Sequence, residues 1–255
     1  MSRPHPSVLS IRVGTAGWSL PAASRDRFPP GDSLLARYAE VFDAVEINSS
    51  FYRPHRRQTY ARWAASTPAG FRFAVKTPRA ITHERRLVQT EEPLDRFLGE
   101  IGGLGDKLGP VLIQLPPSLA FDAHVAGAFF RLWRDRFDGE TACEPRHASW
   151  FTPLADCLLA DRRVARVAAD PAPVPAAARP GGWSAFQYRR LHGSPEIYAS
   201  SYDDDAIDRL AATPPVAAWV IFDNTRFGAA AENALRLHAL TRPGGDPVPK
   251  GRHAR

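Results

Sequence analysis

The sequence predicts a closed (β/α)8 barrel, TIM-barrel-like. Three observations carry that expectation. Eight short apolar segments of strand character alternate with about seven amphipathic helical stretches along the 255 residues. No glycine-rich dinucleotide fingerprint follows the first strand, which counts against a doubly wound nucleotide-binding sheet. Polar side chains also stand at the end of nearly every strand from the second onward, whereas the lower parts of the same strands are small or apolar.

The first strand is Ile11-Arg12-Val13-Gly14-Thr15, followed by a loop through Trp18 and Pro29-Pro30-Gly31. A cap at Asp32 or Ser33 starts a helix with Leu34, Leu35, Tyr38, Val41 and Phe42 on one face. The second strand, Asp43 to Asn48, puts Val45 and Ile47 on one side and Glu46 and Asn48 on the other, then breaks into Ser49-Ser50-Phe51-Tyr52. A helix over Gln58 to Ser66 buries Tyr60 and Trp63. In the third strand Phe71, Phe73 and Val75 alternate with Arg72, Ala74 and Lys76, and a helix with Leu94, Phe97, Leu98 and Ile101 starts near Pro93. The fourth strand, Val111 to Leu115, is stopped by Pro116-Pro117 and followed by a helix from about Asp122 to Phe137. Thr141 to Glu144 is the fifth strand, ended by Pro145, and Leu154, Leu158 and Leu159 mark the next helix. Arg163 to Ala169 is the sixth, ending at Asp170. The proline-rich connection from Pro171 to Gly182 cannot hold a regular helix, because its prolines lack donors and clash. Phe186 to Leu191, a loop from Tyr198 to Tyr202, a short helix near Asp204 to Ala211, the eighth strand Ala217 to Phe222 and a helix over Glu232 to Leu240 complete the series.

No linker or internal repeat divides the chain, so one domain is expected over 11–241, between a disordered N-terminus (1–10) and a basic disordered tail (242–255). The N-terminus has no apolar targeting segment and no later run is long enough for a bilayer, so a membrane protein is not expected. Two cysteines, Cys143 and Cys157, without metal-type spacing fit a reduced cytoplasmic protein. Alternation turns Cys143 outward, toward packing rather than chemistry. The net charge of +6 hints at anionic partners, and part of it lies in the tail.

The inward candidates at the strand ends are Glu46, Asn48, Lys76, Gln114, Glu144, Arg146, Asp170, Arg190, His192 and Asp223 or Asn224. Isolated ion pairs would be structural. A whole ring is costlier to retain than apolar packing and points to a ligand. Glu46, Glu144, Asp170 and His192 are the candidates for acid–base catalysis. Lys76, Arg146, His147, Arg190 and His192 suit a phosphate or carboxylate instead, with Asn48, Gln114 and Asn224 as polar partners and Trp18, Tyr52 and Trp150 as stacking partners. Phe51 and Phe151 are expected to pack the loops, and His55, His124 and His238 to lie at the surface. His83, His147 and His192 with Glu46 and Asp170 could hold a divalent metal, but no metal-binding motif indicates one.

These stretches carry a resemblance. Val13 to Ser19, Val45 to Tyr52, Gly70 to Lys76, Leu108 to Pro117, Glu144 to Phe151, Tyr188 to Gly193 and Glu232 to Leu235 are similar to the YecE-like family, domain of unknown function 72. The resemblance spans nearly the whole chain and implies a TIM-barrel-like fold but no reaction. Such barrels are similar in outline to endonuclease-type barrels, which makes nucleic acid a candidate ligand by fold analogy. The sequence departs from the family pattern at Asp223-Asn224, where two asparagines are usual, and at Asp26-Arg27-Phe28-Pro29 in the first loop. The expected function is a hydrolase-like enzyme acting on a phosphorylated or otherwise anionic small molecule. A nucleic-acid-binding or processing protein and a non-catalytic ligand-binding protein are the alternatives.

Overall fold

A computed structural model describes residues 11–212 and 217–242. The expected disordered N-terminus, with His5, and all of the basic tail beyond residue 242 lie outside the described residues. The strands are β1 (Ile11–Thr15), β2 (Ala44–Ile47), β3 (Arg72–Lys76), β4 (Leu108–Gln114), β5 (Thr141–Glu144), β6 (Val164–Arg166), β7 (Ala168–Asp170), β8 (Gly181–Gly182), β9 (Gln187–Leu191) and β10 (Ala218–Phe222). The helices are α1 (Leu34–Ala39), α2 (Ser49–Tyr52), α3 (Arg57–Ala65), α4 (Glu91–Ile101), α5 (Ala123–Arg136), α6 (Pro153–Asp161), α7 (Asp204–Ala211) and α8 (Ala229–Thr241). Among the described residues no helix is long and apolar enough to cross a membrane.

Helix starts follow local chemistry. Ser33 Oγ accepts from the Ala36 amide and starts α1, the Asp122 carboxylate accepts from His124 and Val125 at α5, and Thr152 caps α6, in which Pro153 sits at the first turn. Leu34, expected on the buried face of α1, is 52% exposed, so the apolar stripe there is Leu35, Tyr38 and then Phe42. Ser49–Tyr52 closes into a single helical turn, α2. In the proline-rich connection only a 3-10 turn, Pro175–Ala178, and the two residues of β8 are regular.

The expected single ring of eight strands is met as two sheets. One has the order β2-β3-β4-β5-β6-β8, parallel except for antiparallel β8, and the other has the parallel order β1-β10-β9-β7. The sixth expected strand is split at Val167, whose amide still donates to Cys143 O of β5 at 2.9 Å. Its first half, β6, has β5 on one edge and β8 on the other; only its second half, β7, reaches β9. β8 occupies the edge of β6 that β9 would need for a full-length pairing. On the other side β1 and β2 meet through one bridge, Ala16 with Glu46, beside a bond from Gly17 N to Glu46 O of 2.8 Å. The backbones approach so closely here that a Cβ on Gly14 would collide with the Ala44 carbonyl.

The period-two alternation of the strands divides the buried side chains into two layers. Val13, Val45, Ile47, Phe73, Val75, Val111, Ile113 and Cys143 pack in the cluster that also contains the helix residues Phe97, Phe129 and Phe130. The alternate positions, Ala44, Ala74, Leu112, Ala142, Ala165, Tyr188, Trp219 and Ile221, form a second cluster. Small residues on β2, β3 and β5 leave room there for Tyr188 and Trp219, whose rings stack at 6.2 Å.

Candidate functional site

Stepping two residues along the strands from this second cluster leads from apolar to charged side chains. Ala44 is followed by Glu46, Ala74 by Lys76, Ala142 by Glu144, Tyr188 by Arg190 and then His192, and Ile221 by Asp223. Glu46, Glu144, Arg190 and His192 are fully buried, and Lys76 and Asp223 are 7% exposed. Charges taken so far out of water persist only when paired and hydrogen-bonded.

Arg190 provides the pairing. Its Nε and Nη2 donate to the two oxygens of Glu46 at 3.0 and 2.7 Å, Nη1 donates to Glu144 at 2.7 Å, and Nη2 also reaches Asp223 at 3.0 Å. The planar fork suits this task because several donors are held in fixed directions. Tyr188 adds a bond from its hydroxyl to Glu46 Oε2 at 2.8 Å. His192 lies between two acids, with Nδ1 3.0 Å from Asp223 Oδ2 and Nε2 2.8 Å from Glu144 Oε1. Arg146 Nη2 forms an ion pair with that same Glu144 oxygen at 2.7 Å and is 2.8 Å from His192 Nε2. Nε2 therefore faces a donor and an acceptor at once, a placement suited to proton transfer.

The electrostatics follow from the packing. Burial alone would raise the Glu144 carboxyl, but Arg190, Arg146 and His192 outweigh it and hold it well below its usual range. Asp223 is lowered on the same balance, against burial, by Arg190, His192 and Lys76. Arg190 is held above its ordinary value because Glu46, Glu144 and Asp223 outweigh its desolvation. Lys76 moves the other way: burial first and Arg190 second bring its ammonium down to about 8, against the pull of the three carboxylates.

Among the described residues, several polar groups here lack hydrogen-bond partners, the Asn224 amide oxygen among them. Lys76 Nζ lies 4.2 Å from the centre of the Phe51 ring and makes no hydrogen bond to the described residues. Arg146 Nε and Asn48 Oδ1 are buried without a partner, although Asn48 Nδ2 makes a long contact of 3.5 Å to Asp223. Tyr198, 41% exposed, stands edge-on to His192 with ring centres 5.7 Å apart.

Not every expected side chain joins this group. Asp170 is paired in register with Leu191 while Ala169 pairs with Arg190, so Asp170 takes the opposite face, where it accepts from Tyr202 at 2.6 Å. Its strand parity is one residue off the inner row. Trp150 is 1% exposed, donates to Leu119 O at 2.9 Å and packs edge-on to Phe121; it is core. The Asn224 amide donates to Ser200 O and Asn233 Oδ1 and holds the following loop. His147 turns back to the Ser149 amide and caps its own turn. Gln114 is level with Glu144 in the β4–β5 register. Half-buried Trp18 packs edge-on to Trp63, and Tyr52, 74% exposed, packs edge-on to Phe51. His83 contacts Thr82 and the Phe51 ring. His238 is buried against Phe42, not at the surface, and burial takes it down to about 4. His55 is half-buried and bonded to Ser49. No group of three or more His, Cys, Asp or Glu among the described residues is arranged to hold a metal ion.

Two members of the cluster were not singled out by the sequence. Asp223 stood beside Asn224 as an alternative, and continuing the alternation from Trp219 through Ile221 past the strand end selects it. Tyr188 lies two residues before Arg190, but an aromatic within a strand carries no mark that separates a core residue from a partner of Glu46.

Comparisons with known proteins agree with the architecture. The family described as "Protein of unknown function DUF72" matches residues 12–253. The UPF0759 protein YecE of Escherichia coli strain K12 is 31% identical over 176 residues, 66% of this chain and 61% of that protein. The UPF0759 protein YunF of Bacillus subtilis is 30% identical over 155 residues, 56% of this chain and 53% of that protein. The matched stretches thus span between about half and three fifths of these relatives. Among solved structures, a DUF72 family protein from Enterococcus faecalis superposes with a TM-score of 0.77 at 24% identity, covering 94% of this chain and 99% of that one. One from Thermotoga maritima gives 0.75 at 25% identity, covering 89% and 97%.

Proposed function

The chain belongs to the DUF72 family, and from that premise we propose that its buried ring of charges is the floor of a binding site for a small anionic molecule, phosphorylated or carboxylated. We read the two sheets as the arcs of one (β/α)8 barrel, a single domain over 11–241, with this site at its C-terminal mouth. One observation carries the reading. The three carboxylates are already engaged by Arg190, while the Lys76 ammonium and Arg146 Nε have no hydrogen-bond acceptor among the described residues. The unmatched charged groups of the site are therefore cations, beside the unpaired amide oxygen of Asn48, and an anion meets those cations. Lys76 and Arg146 contact the ligand in this reading, with Asn48 and Gln114 beside them. His192, between Glu144 and Asp223, is the group equipped to move a proton, which suits hydrolase-like acid–base chemistry. The unpaired cysteines Cys143 and Cys157 fit a protein of the cytoplasm.

Thermal unfolding in the presence of inorganic phosphate, glycerol phosphate and uncharged glycerol tests this. The two anions are expected to raise the midpoint of the wild-type protein by several degrees near saturation, and glycerol is not. Arg146→Gln should lose most of that gain. An equal response to all three, or none to the anions, removes the reading. Outside the mouth, exposed Tyr52 and Arg53 form a rim that suits stacking and phosphate contact. A single-stranded oligonucleotide that binds more tightly than glycerol phosphate, with steep salt dependence, would replace the small-molecule reading with a nucleic-acid one.

A further inference from the structure

The chain has 33 lysines and arginines, and only three of them, Lys76, Lys107 and Lys250, are lysines. Lys250 lies outside the described residues. Lys107 suits a compact ammonium: its Nζ donates to Ala64 O and Thr67 O at 2.6 Å and to Thr67 Oγ1 at 3.1 Å, beside the end of α3. Lys76 has no such set of acceptors. It stands at the end of β3 with Phe51 over its Nζ, in a cluster whose other permanent cations, Arg146 and Arg190, are both arginine. For holding an anion alone, arginine is the better group, since it is always charged and binds in a fork. What lysine alone offers is a neutral amine with a nucleophilic lone pair.

We propose that Lys76 Nζ is a nucleophile that forms an imine with an anionic aldehyde or ketone, such as a 2-oxo acid or a phosphorylated carbonyl compound. The proposal rests on the anion-binding reading above and narrows its ligand to a carbonyl compound whose charged end is held by Arg146. The surroundings favour the reactive form. Burial and the neighbouring Arg190 guanidinium both disfavour the ammonium and outweigh the attraction of the Phe51 ring face and the carboxylates, and a value of about 8 leaves an appreciable amine fraction near neutral pH. In the first step the amine lone pair forms the C–N bond, the carbonyl π pair moves to oxygen, and a proton passes from nitrogen to that oxygen. The resulting carbinolamine takes one further proton from solvent on its hydroxyl group. The C–O bond breaks, water leaves, and the nitrogen lone pair completes a protonated C=N bond. Amine, carbonyl and one proton thus give iminium and one water, with no oxidation or reduction. The iminium is an electron sink for bond cleavage or proton removal at the adjacent carbon, and addition of water releases the product.

The full chain, incubated separately with glyoxylate and dihydroxyacetone phosphate in the presence of cyanoborohydride and mapped by peptide mass spectrometry, tests this. One reduced adduct is expected at Lys76, formed at least tenfold faster than at Lys107 or Lys250, and Lys76→Met should lack it. Phosphate-dependent thermal stabilisation is read on the same wild-type sample. Stabilisation by phosphate with Lys76 labelled no faster than the other lysines overturns the imine while leaving the anion site standing. Fast labelling of Lys76 without stabilisation by phosphate keeps the nucleophile and removes the anion reading.

Discussion

Arg190 and Glu46 form a two-pronged ion pair, Nε to Oε2 at 3.0 Å and Nη2 to Oε1 at 2.7 Å, with neither side chain reaching solvent. The pair joins β9 to β2, strands of different sheets whose residues are 144 positions apart. Through Glu144 and Asp223 the same guanidinium also reaches β5 and the end of β10. One side chain thus holds the two sheets together at their C-terminal ends.

Removing that side chain should cost more than any other single change in the ring. Arg190→Met leaves three buried carboxylates without their shared counter-charge, and a loss of about 3–5 kcal/mol is expected. Urea unfolding measures it. Arg190→Lys should be nearly as damaging, because a single ammonium cannot reproduce the three-way fork. A loss under about 1 kcal/mol for Arg190→Met would mean that the ring does not hold the sheets together.

Tyr188→Phe tests the support of Glu46. The ring volume stays and only the hydroxyl that donates at 2.8 Å is lost, leaving a buried carboxylate one donor short. A loss of about 1–3 kcal/mol is expected from an unmet buried acceptor. Stability unchanged from wild type would show that Arg190 alone satisfies Glu46.

Acid should weaken the fold through Glu144 and Asp223. Both are held below their ordinary values of 4.5 and 3.8, so at low pH the unfolded chain binds more protons than the folded one. Their contribution is complete above the ordinary values and is lost as pH falls through the folded ones. Unfolding free energy should therefore drop from about pH 5 downward. Glu144→Gln is expected to start less stable and to show a shallower fall over that range.

Lys76 should show the opposite relation of charge to stability. Its folded value of about 8 lies below the ordinary 10.5, so between those limits the unfolded chain holds the proton that the folded one has released. The cost of the buried ammonium is full below pH 8 and is relieved as pH rises toward 10.5. Lys76→Met is therefore expected to be more stable than wild type at pH 7, by about 1–3 kcal/mol, with the gain shrinking above pH 8. A variant less stable at pH 7 would mean that the three carboxylates outweigh burial in favouring the charged lysine.

Several elements of the fold follow from local chemistry and were legible without coordinates. Thr141–Glu144 and Asp204–Ala211 coincide with their expected spans, Ser33 is the one of the two cap candidates Asp32 and Ser33 that starts α1, and Asp122 caps α5, near where that helix is expected to begin. The alternation that put Glu46, Lys76, Glu144 and Arg190 on one face extends over only two to four residues within each strand, so sequence displays it directly. The same rule applied past a strand end explains the corrections. Asp170 and Asp223 are both acids at strand ends, and the register turns the first out and the second in.

The chain by itself thus determined most of the strands and helices, the face most strands present and most of the ring's members, because those depend on neighbours a few residues apart. Tertiary structure alone decided how the charges were shared. Pairing between strands far apart in the chain, such as β1 with β10, split the ring of strands into two sheets and committed the carboxylates to Arg190. It also left Lys76 without an acceptor among the described residues, because a buried group's partners are set by which strand ends converge and not by the order of residues along the chain.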